Sequence, residues 1–298
     1  MTLQLSLIVT PTRGYTYDDL RAIAHAVEDA GMSTLWIADH FFGGEGFPDR
    51  NCLEAWTLIA ALARDTTRLR LGTMVTAQSY RNPALLAKTV ASVDHISGGR
   101  IEFGVGAGWK ENEYRAYGYD FPRAGVRVDQ LRETLEICRR MWAEERATYR
   151  GRHYRIVDAV CAPKPAQRPH PPITIGGGKP RVMRLAARYA DAFNLDHRGG
   201  TPTPDDWQDA RQALAEACRE VGRDPGALRL SHWNEAEIGT PEASGEAAGK
   251  LSGGPDALLA ALGGYAAAGV AEVQLSLPYG RELEMVRILA SDVVPRLS

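Results

Sequence analysis

Short apolar runs alternate with amphipathic stretches along the whole chain. Eight runs read as strands: Leu5–Val9, Thr34–Ala38, Arg70–Thr76, Arg100–Val105, Pro172–Ile175, Ala192–Leu195, Leu228–Ser231 and Glu272–Leu277. A segment with helical spacing follows each. Leu20, Ile23, Val27 and Ala30 stripe one such face, and Gly31 follows as a stop signal. Asn82 and Pro83 open another helix, whose stripe is Leu86, Val90, Val93 and Ile96. Thr203, Pro204 and Asp206 supply a cap, a first-turn proline and an acidic third position for a helix carrying Leu214, Cys218 and Val221, with Gly222 at its end.

Eight strand–helix units in succession predict an α/β fold, a parallel (β/α)8 TIM barrel with insertions at the C-terminal ends of its strands. Near-continuous apolar strands suit a parallel sheet covered by helices. An open doubly wound sheet fits the same pattern if strand order reverses. No interdomain linker is visible, so residues 1–298 are expected to form one domain. Gly239–Gly254 reads as a mobile insertion, and Ala143–Pro171 as a second one holding a small hairpin around Arg150–Gly151–Arg152.

A barrel carries its chemistry at the C-terminal strand ends, and polar and glycine-rich residues collect there. Asp39–His40 is the leading acid–base pair, because an imidazole changes charge near neutral pH; a satisfied structural histidine is the other reading. His197, at the sixth strand end, ranks below it. His25 and His95 in helices and His153 in the hairpin read as structural or solvated. Gly104, Gly106 and Gly108 lack the dinucleotide fingerprint, since the spacing differs and no helix follows at once. Small residues there let a flat ring lie against the backbone, or simply loosen a loop.

The stretch Ile173–Arg181 runs from a strand through Gly176, Gly177 and Gly178 into a helix with Pro180 in its first turn. Glycines permit positive φ and close approach, and a helix N-terminus is an anion site. Lys179 and Arg181 add cations. A phosphate therefore fits, against the plainer reading of a tight turn with solvated charges. No Ser or Thr follows Lys179, so this is not a P-loop.

Composition narrows the partners. With 35 basic and 37 acidic side chains the formal net charge is −2, which gives no broad attraction for nucleic acid or an anionic membrane. No apolar run is long enough to span a bilayer. The N-terminus lacks a basic region and reads as a first strand, not as a signal peptide. Cys52, Cys138, Cys161 and Cys218 are scattered, which fits a reducing, cytoplasmic home, with Cys138 and Cys218 on apolar helix faces. The strand ends show no His-x-His pair or carboxylate cluster, so no metal is expected.

Four stretches together resemble the bacterial luciferase-like superfamily: Glu28–Phe41, Leu69–Thr76, Arg81–Trp109 and Ile173–Leu195. That superfamily holds flavin-dependent monooxygenases and coenzyme F420-dependent oxidoreductases on a (β/α)8 barrel. The resemblance runs from Leu5 to about Leu297 and is nearer to the F420 branch. It implies that Asp39 and His40 face the deazaflavin ring. Thr73, Met74, Val75 and Thr76 would form a bulge behind it, with a non-proline cis peptide at Met74–Val75. Gly106, Ala107, Gly108 and Asn112 would line the ring and its side chain. Gly176, Gly177, Gly178 and Lys179 would hold the phosphate. The implied reaction moves a hydride between the reduced deazaflavin and a small organic substrate, an imine, carbonyl, activated alkene or alcohol. His40 would move the matching proton, with Glu113 as a second carboxylate, in a homodimer. An FMN-dependent monooxygenase is the alternative, and a non-catalytic cofactor carrier the third reading. Trp109 stands where sugar-phosphate dehydrogenases of this branch carry an acid, which sets sugar phosphates aside.

Overall fold

Side-chain caps fix where the helices begin. Thr16 accepts from the Asp19 N–H while Asp19 bonds back to Thr16, which opens α1 (Tyr17–Asp29). Asn82 accepts from the Ala84 N–H ahead of α3 (Pro83–Ser97), which stops at Gly98 with φ of 70°. Thr203 and Asp206 repeat the reciprocal cap on α7 (Pro204–Glu220). The remaining helices are α2 (Ala55–Asp65), α4 (Glu111–Ala116), α5 (Ala124–Ala143), α6 (Pro180–Tyr189), α8 (Pro255–Ala267) and α9 (Glu282–Ile288).

The structure, a computed structural model, describes residues 3–43, 50–195, 201–239 and 250–297. Among them, eight parallel strands close a barrel: β1 (Gln4–Val9), β2 (Thr34–Ile37), β3 (Arg70–Thr73), β4 (Ile101–Gly106), β5 (Ile173–Gly177), β6 (Ala192–Leu195), β7 (Arg229–Ile238) and β8 (Glu272–Ser276). They pair in chain order, and β8 returns to β1 with Leu5 opposite Val273. The closed order excludes the open doubly wound sheet. No described helix is long and apolar enough to cross a membrane.

The barrel interior is polar at its floor. Glu272 accepts from Ser6 Oγ and from Trp36 Nε1 at 2.8 Å. Glu102 pairs with Arg70 at 2.7 Å and Arg229 at 3.2 Å. Trp36 fills the centre because β3 offers Gly72 there: a Cβ on Gly72 would lie 2.8 Å from the indole. The outward faces supply the apolar layer, where Leu7, Leu35, Leu71, Phe103, Ile175 and Phe193 are buried against the helices. Cys138 and Cys218 are buried in that layer.

Two elements differ from the pattern expected. Strand β7 continues past Ser231 to Ile238 and pairs with Leu251–Gly253. Its second half alternates, with Asn234, Ala236 and Ile238 buried between the more accessible Trp233, Glu235 and Glu237. The insertion expected to be mobile therefore contributes Gly239 and 250–254 to ordered structure, and 240–249 lie outside the described residues. The hairpin forms, with Ala147–Arg150 against Arg155–Ala159. Its turn is held by Glu133 of α5, which accepts from the N–H groups of Arg152, His153 and Tyr154.

Candidate active site

His40 sits just past the end of β2. Its Nδ1 lies 3.0 Å from Glu113 Oε2, which reaches it from α4. Glu113 is fully buried and surrounded by donors. Tyr80 Oη donates to Oε2 at 2.6 Å, Lys110 Nζ to Oε1 at 2.9 Å, and the Phe41 and Phe42 N–H groups to Oε1 at 3.1 and 3.4 Å. Burial alone would raise the Glu113 pKa. The hydrogen bond and charge of His40, with Tyr80 and Lys110, reverse this and bring it to about 2. Burial and the Glu113 bond push the Tyr80 phenol up, so it stays a donor.

This arrangement fixes the imidazole. A carboxylate at Nδ1 keeps the proton on that nitrogen and leaves Nε2 as the exchanging atom. Nε2 has no hydrogen-bond partner among the described residues, and the His40 side chain keeps 20% of its exposure. The sequence names Glu113 without aiming it; the fold aims it at His40. Asp39 turns away from that task. It is buried, and Arg81 holds both its carboxylate oxygens at 2.7 and 3.0 Å. Arg81 also pairs with Glu54. Burial opposes the charge on Glu54, but Arg81 beside it more than offsets this and holds the carboxyl below its usual range. Arg81 itself, with Tyr80 and Lys110, is what the sequence reading missed. Arg81 opens one of the stretches that carry the resemblance, but nothing local shows which carboxylate any of the three would meet.

The segment after β3 forms the expected bulge, and the Met74–Val75 peptide is cis. Thr73 Oγ1 donates to the Gly104 carbonyl at 2.8 Å and accepts from Thr76 Oγ1, which in turn accepts from Trp56 Nε1. Both threonines are buried and hold the bulge in place. Val75 then explains two glycines. A Cβ on Gly106 would lie 2.8 Å from Val75 Cγ2, and one on Gly176 3.2 Å from Val75 Cγ1. Gly108 has φ of 77°, and a Cβ there would meet Tyr114 Oη at 1.8 Å. On their Cβ sides these glycines admit neighbouring side chains. Ala107 is half-buried beside them; Asn112 is exposed, with its Oδ1 on the Glu113 N–H at 3.0 Å.

The turn from β5 into α6 is built differently. No side chain caps α6, and its first turn has no acidic residue. Gly177 has φ of 154°, and a Cβ there would meet Val182 Cγ1 at 2.8 Å. Gly178 is half-buried. Lys179 is exposed with no side-chain partner among the described residues. Arg181, expected as a second free cation, instead pairs with Asp129 at 2.6 Å. Asp196 and His197, at the end of β6, lie outside the described residues.

Aromatic rings flank His40. Trp109 meets it edge-on at 5.8 Å between ring centroids and is 61% exposed. Phe41 stacks on Tyr117 at 4.3 Å and packs on Tyr80 at 4.4 Å.

Comparison with known proteins places this barrel. Among curated relatives, the F420-dependent glucose-6-phosphate dehydrogenase of Amycolatopsis mediterranei is 32% identical over 183 residues, 59% of this chain and 52% of that protein. The F420-dependent hydroxymycolic acid dehydrogenase of Mycobacterium tuberculosis is 30% identical over 244 residues, 81% of this chain and 65% of that protein. The chain thus spans about half the length of the first of these relatives. An F420-dependent secondary alcohol dehydrogenase in complex with an F420–acetone adduct shares the fold, with a TM-score of 0.86 at 19% identity over the whole of both chains. A family model described as luciferase-like monooxygenase matches residues 5–271. The chain belongs to the luciferase-like monooxygenase family.

Proposed function

We propose that this chain is a coenzyme F420-dependent oxidoreductase acting on a carbonyl, imine, activated alkene or alcohol. The observation that carries the reading is the His40–Glu113 couple: an imidazole at the barrel mouth, one nitrogen held by a buried carboxylate and the other without a partner among the described residues. The cofactor assignment rests on the F420-dependent relatives and on the fit of the α6 turn. That turn has an uncapped helix N-terminus, no first-turn acid and a Lys179 with no side-chain partner among the described residues, which suits a phosphate. Caps with an acidic side chain close α1 and α7 to such a guest.

When bound, the deazaflavin supplies or accepts the hydride. The chain's own part is to bind and to handle the proton. Gly177, Gly178 and Lys179 hold the phosphate. The Met74–Val75 backbone and the Val75 side chain back the ring. His40 gives a proton from Nε2 to the oxygen or nitrogen of a substrate being reduced, or takes one from a hydroxyl being oxidised. Glu113 is a positioning residue: its oxygens are occupied and its pKa is too low for it to donate near neutral pH. Asp39 sets Arg81 and the segment leading into His40.

The test is a fluorescence titration of the protein with coenzyme F420 and with FMN. F420 is expected to bind at least about tenfold more tightly, a gap of about 1.4 kcal/mol. Equal affinities, or tighter FMN, would move the assignment to a flavin monooxygenase.

A further inference from the structure

The hairpin of the second insertion takes no part in the site described so far, yet its side chains reach toward it. Glu133 of α5 grips the hairpin turn through the N–H groups of Arg152, His153 and Tyr154. Gly151 stands in that turn because a Cβ there would run into the carboxylate. So held, Tyr154 donates from Oη to Gln78 Oε1 at 3.1 Å. Thr134 Oγ1 of α5 donates to the same oxygen at 3.3 Å, and Gln78 Nε2 donates to Gln130 Oε1 at 3.4 Å. Gln78 and Thr134 are fully buried. Burial and the charge of Glu133 push the Tyr154 phenol up to about 12, so it stays a donor.

Gln78 opens the short turn Gln78–Tyr80, just past the bulge that follows β3. The next two side chains of that turn are held by α4: Ser79 Oγ lies 2.6 Å from Tyr114 Oη, and Tyr80 donates to Glu113. A bulge interrupts the ladder that otherwise fixes a strand, so its place depends on what holds its ends. Thr73 holds one end through the Gly104 carbonyl. At the other, Thr76 and Ala77 pair briefly with Val105 and Gly106, and Gln78 anchors the chain where this pairing stops. A buried carboxamide stays where its partners are, because leaving it unpaired is costly.

We infer that Tyr154 is a positioning residue: acting through Gln78, the hairpin sets the bulge before a cofactor arrives. The inference rests on the reading of this bulge as the wall behind the ring. Without the Tyr154 hydroxyl, Gln78 keeps its α5 partners and loses its tie to the hairpin. The bulge then samples more conformations, and binding must order it at the expense of affinity. The deazaflavin and FMN both present a ring to that wall, so both lose affinity by the same factor.

The test titrates coenzyme F420 and FMN separately into the full chain, into Tyr154→Phe, into Gln78→Met and into the double variant. Tyr154→Phe should weaken each cofactor about threefold to tenfold, the weight of one buried hydrogen bond, with the F420-to-FMN ratio unchanged. Gln78→Met should lose at least as much, and the double variant should be no worse than Gln78→Met alone, because the two residues act in series. Tyr154→Phe removes one oxygen from a half-buried ring, so it decides the matter by itself if Gln78→Met does not fold. A second readout needs no cofactor: the amide hydrogens of residues 75–80 should exchange faster in Tyr154→Phe than in the parent. Unchanged affinity for both cofactors in Tyr154→Phe would overturn the inference, and a lowered melting temperature beside it would make the hairpin a purely structural support. Additive losses in the double variant, or unchanged exchange at 75–80, would overturn it too. A parent that prefers FMN sinks the F420 reading alone, since an equal loss of both cofactors in Tyr154→Phe still upholds the hairpin's hold on the wall.

Discussion

The His40 corner and the α6 turn lie at the same mouth and are built by opposite means. Around His40 the described polar atoms that fix the geometry are satisfied: Glu113 alone receives bonds from His40, Tyr80, Lys110 and two backbone N–H groups. At α6 the polar groups are left open among the described residues, with no side-chain cap and no side-chain partner for Lys179. A group that must hand over a proton needs one fixed orientation, which a ring of satisfied partners provides. A group that must receive an anion needs donors that nothing else occupies. The difference also says where damage should show: in turnover at the first place, in affinity at the second.

The sharpest way to break the contrast is His40→Ala. Turnover should fall roughly 10²–10⁴-fold, the usual weight of general acid–base catalysis, with cofactor affinity within a few-fold in the same titration. A comparable loss of affinity would show that His40 holds the ring instead. Next comes Glu113→Gln. Turnover should drop about 10–10²-fold, because the amide no longer fixes the proton on Nδ1. It should also change acid stability. The folded Glu113 value of about 2 lies below the ordinary carboxyl range. Its contribution is therefore complete above about pH 5 and is lost as pH falls toward 2, on the order of 3 kcal/mol in all. Denaturant melts of the parent across that window should lose stability more steeply than those of Glu113→Gln; parallel curves would mean that Glu113 carries no such charge.

The α6 turn separates into two parts. Gly177→Val should lower stability by about 1–3 kcal/mol as well as affinity, since a side chain there meets Val182. A variant that melts like the parent would show that the turn yields without strain. Lys179→Ala, the mildest change, should weaken cofactor binding about twofold to fivefold, more at low salt, with no shift in melting. Unchanged binding at low salt would show that the helix terminus works alone.

Much of this was legible in the sequence because its causes are local. The caps Asn82 and Thr203 act within three residues of themselves. The strand ends announce themselves through Asp39–His40 and the three glycines, and the resemblance located the cis peptide at Met74–Val75. What stayed hidden is set by barrel closure. Glu113 reaches His40 across 73 residues, and Arg81 reaches Asp39 across 42. That Val75 and the Tyr114 hydroxyl stand where a Cβ on Gly106 or Gly108 would lie is likewise set by distant parts of the chain. The end of β7 was missed because its alternation departs from the fully buried pattern of its neighbours, although a period of two was there to be read.

The Phe41 and Phe42 amides belong to an irregular stretch with no ladder to protect them, yet both point at a buried carboxylate. Their hydrogens should exchange with solvent as slowly as those of a short strand. Exchange would require α4 to lift away from the end of β2, and that same opening would free the imidazole. The exchange rate of these two hydrogens is thus a clock for how often the site comes apart, readable without any substrate.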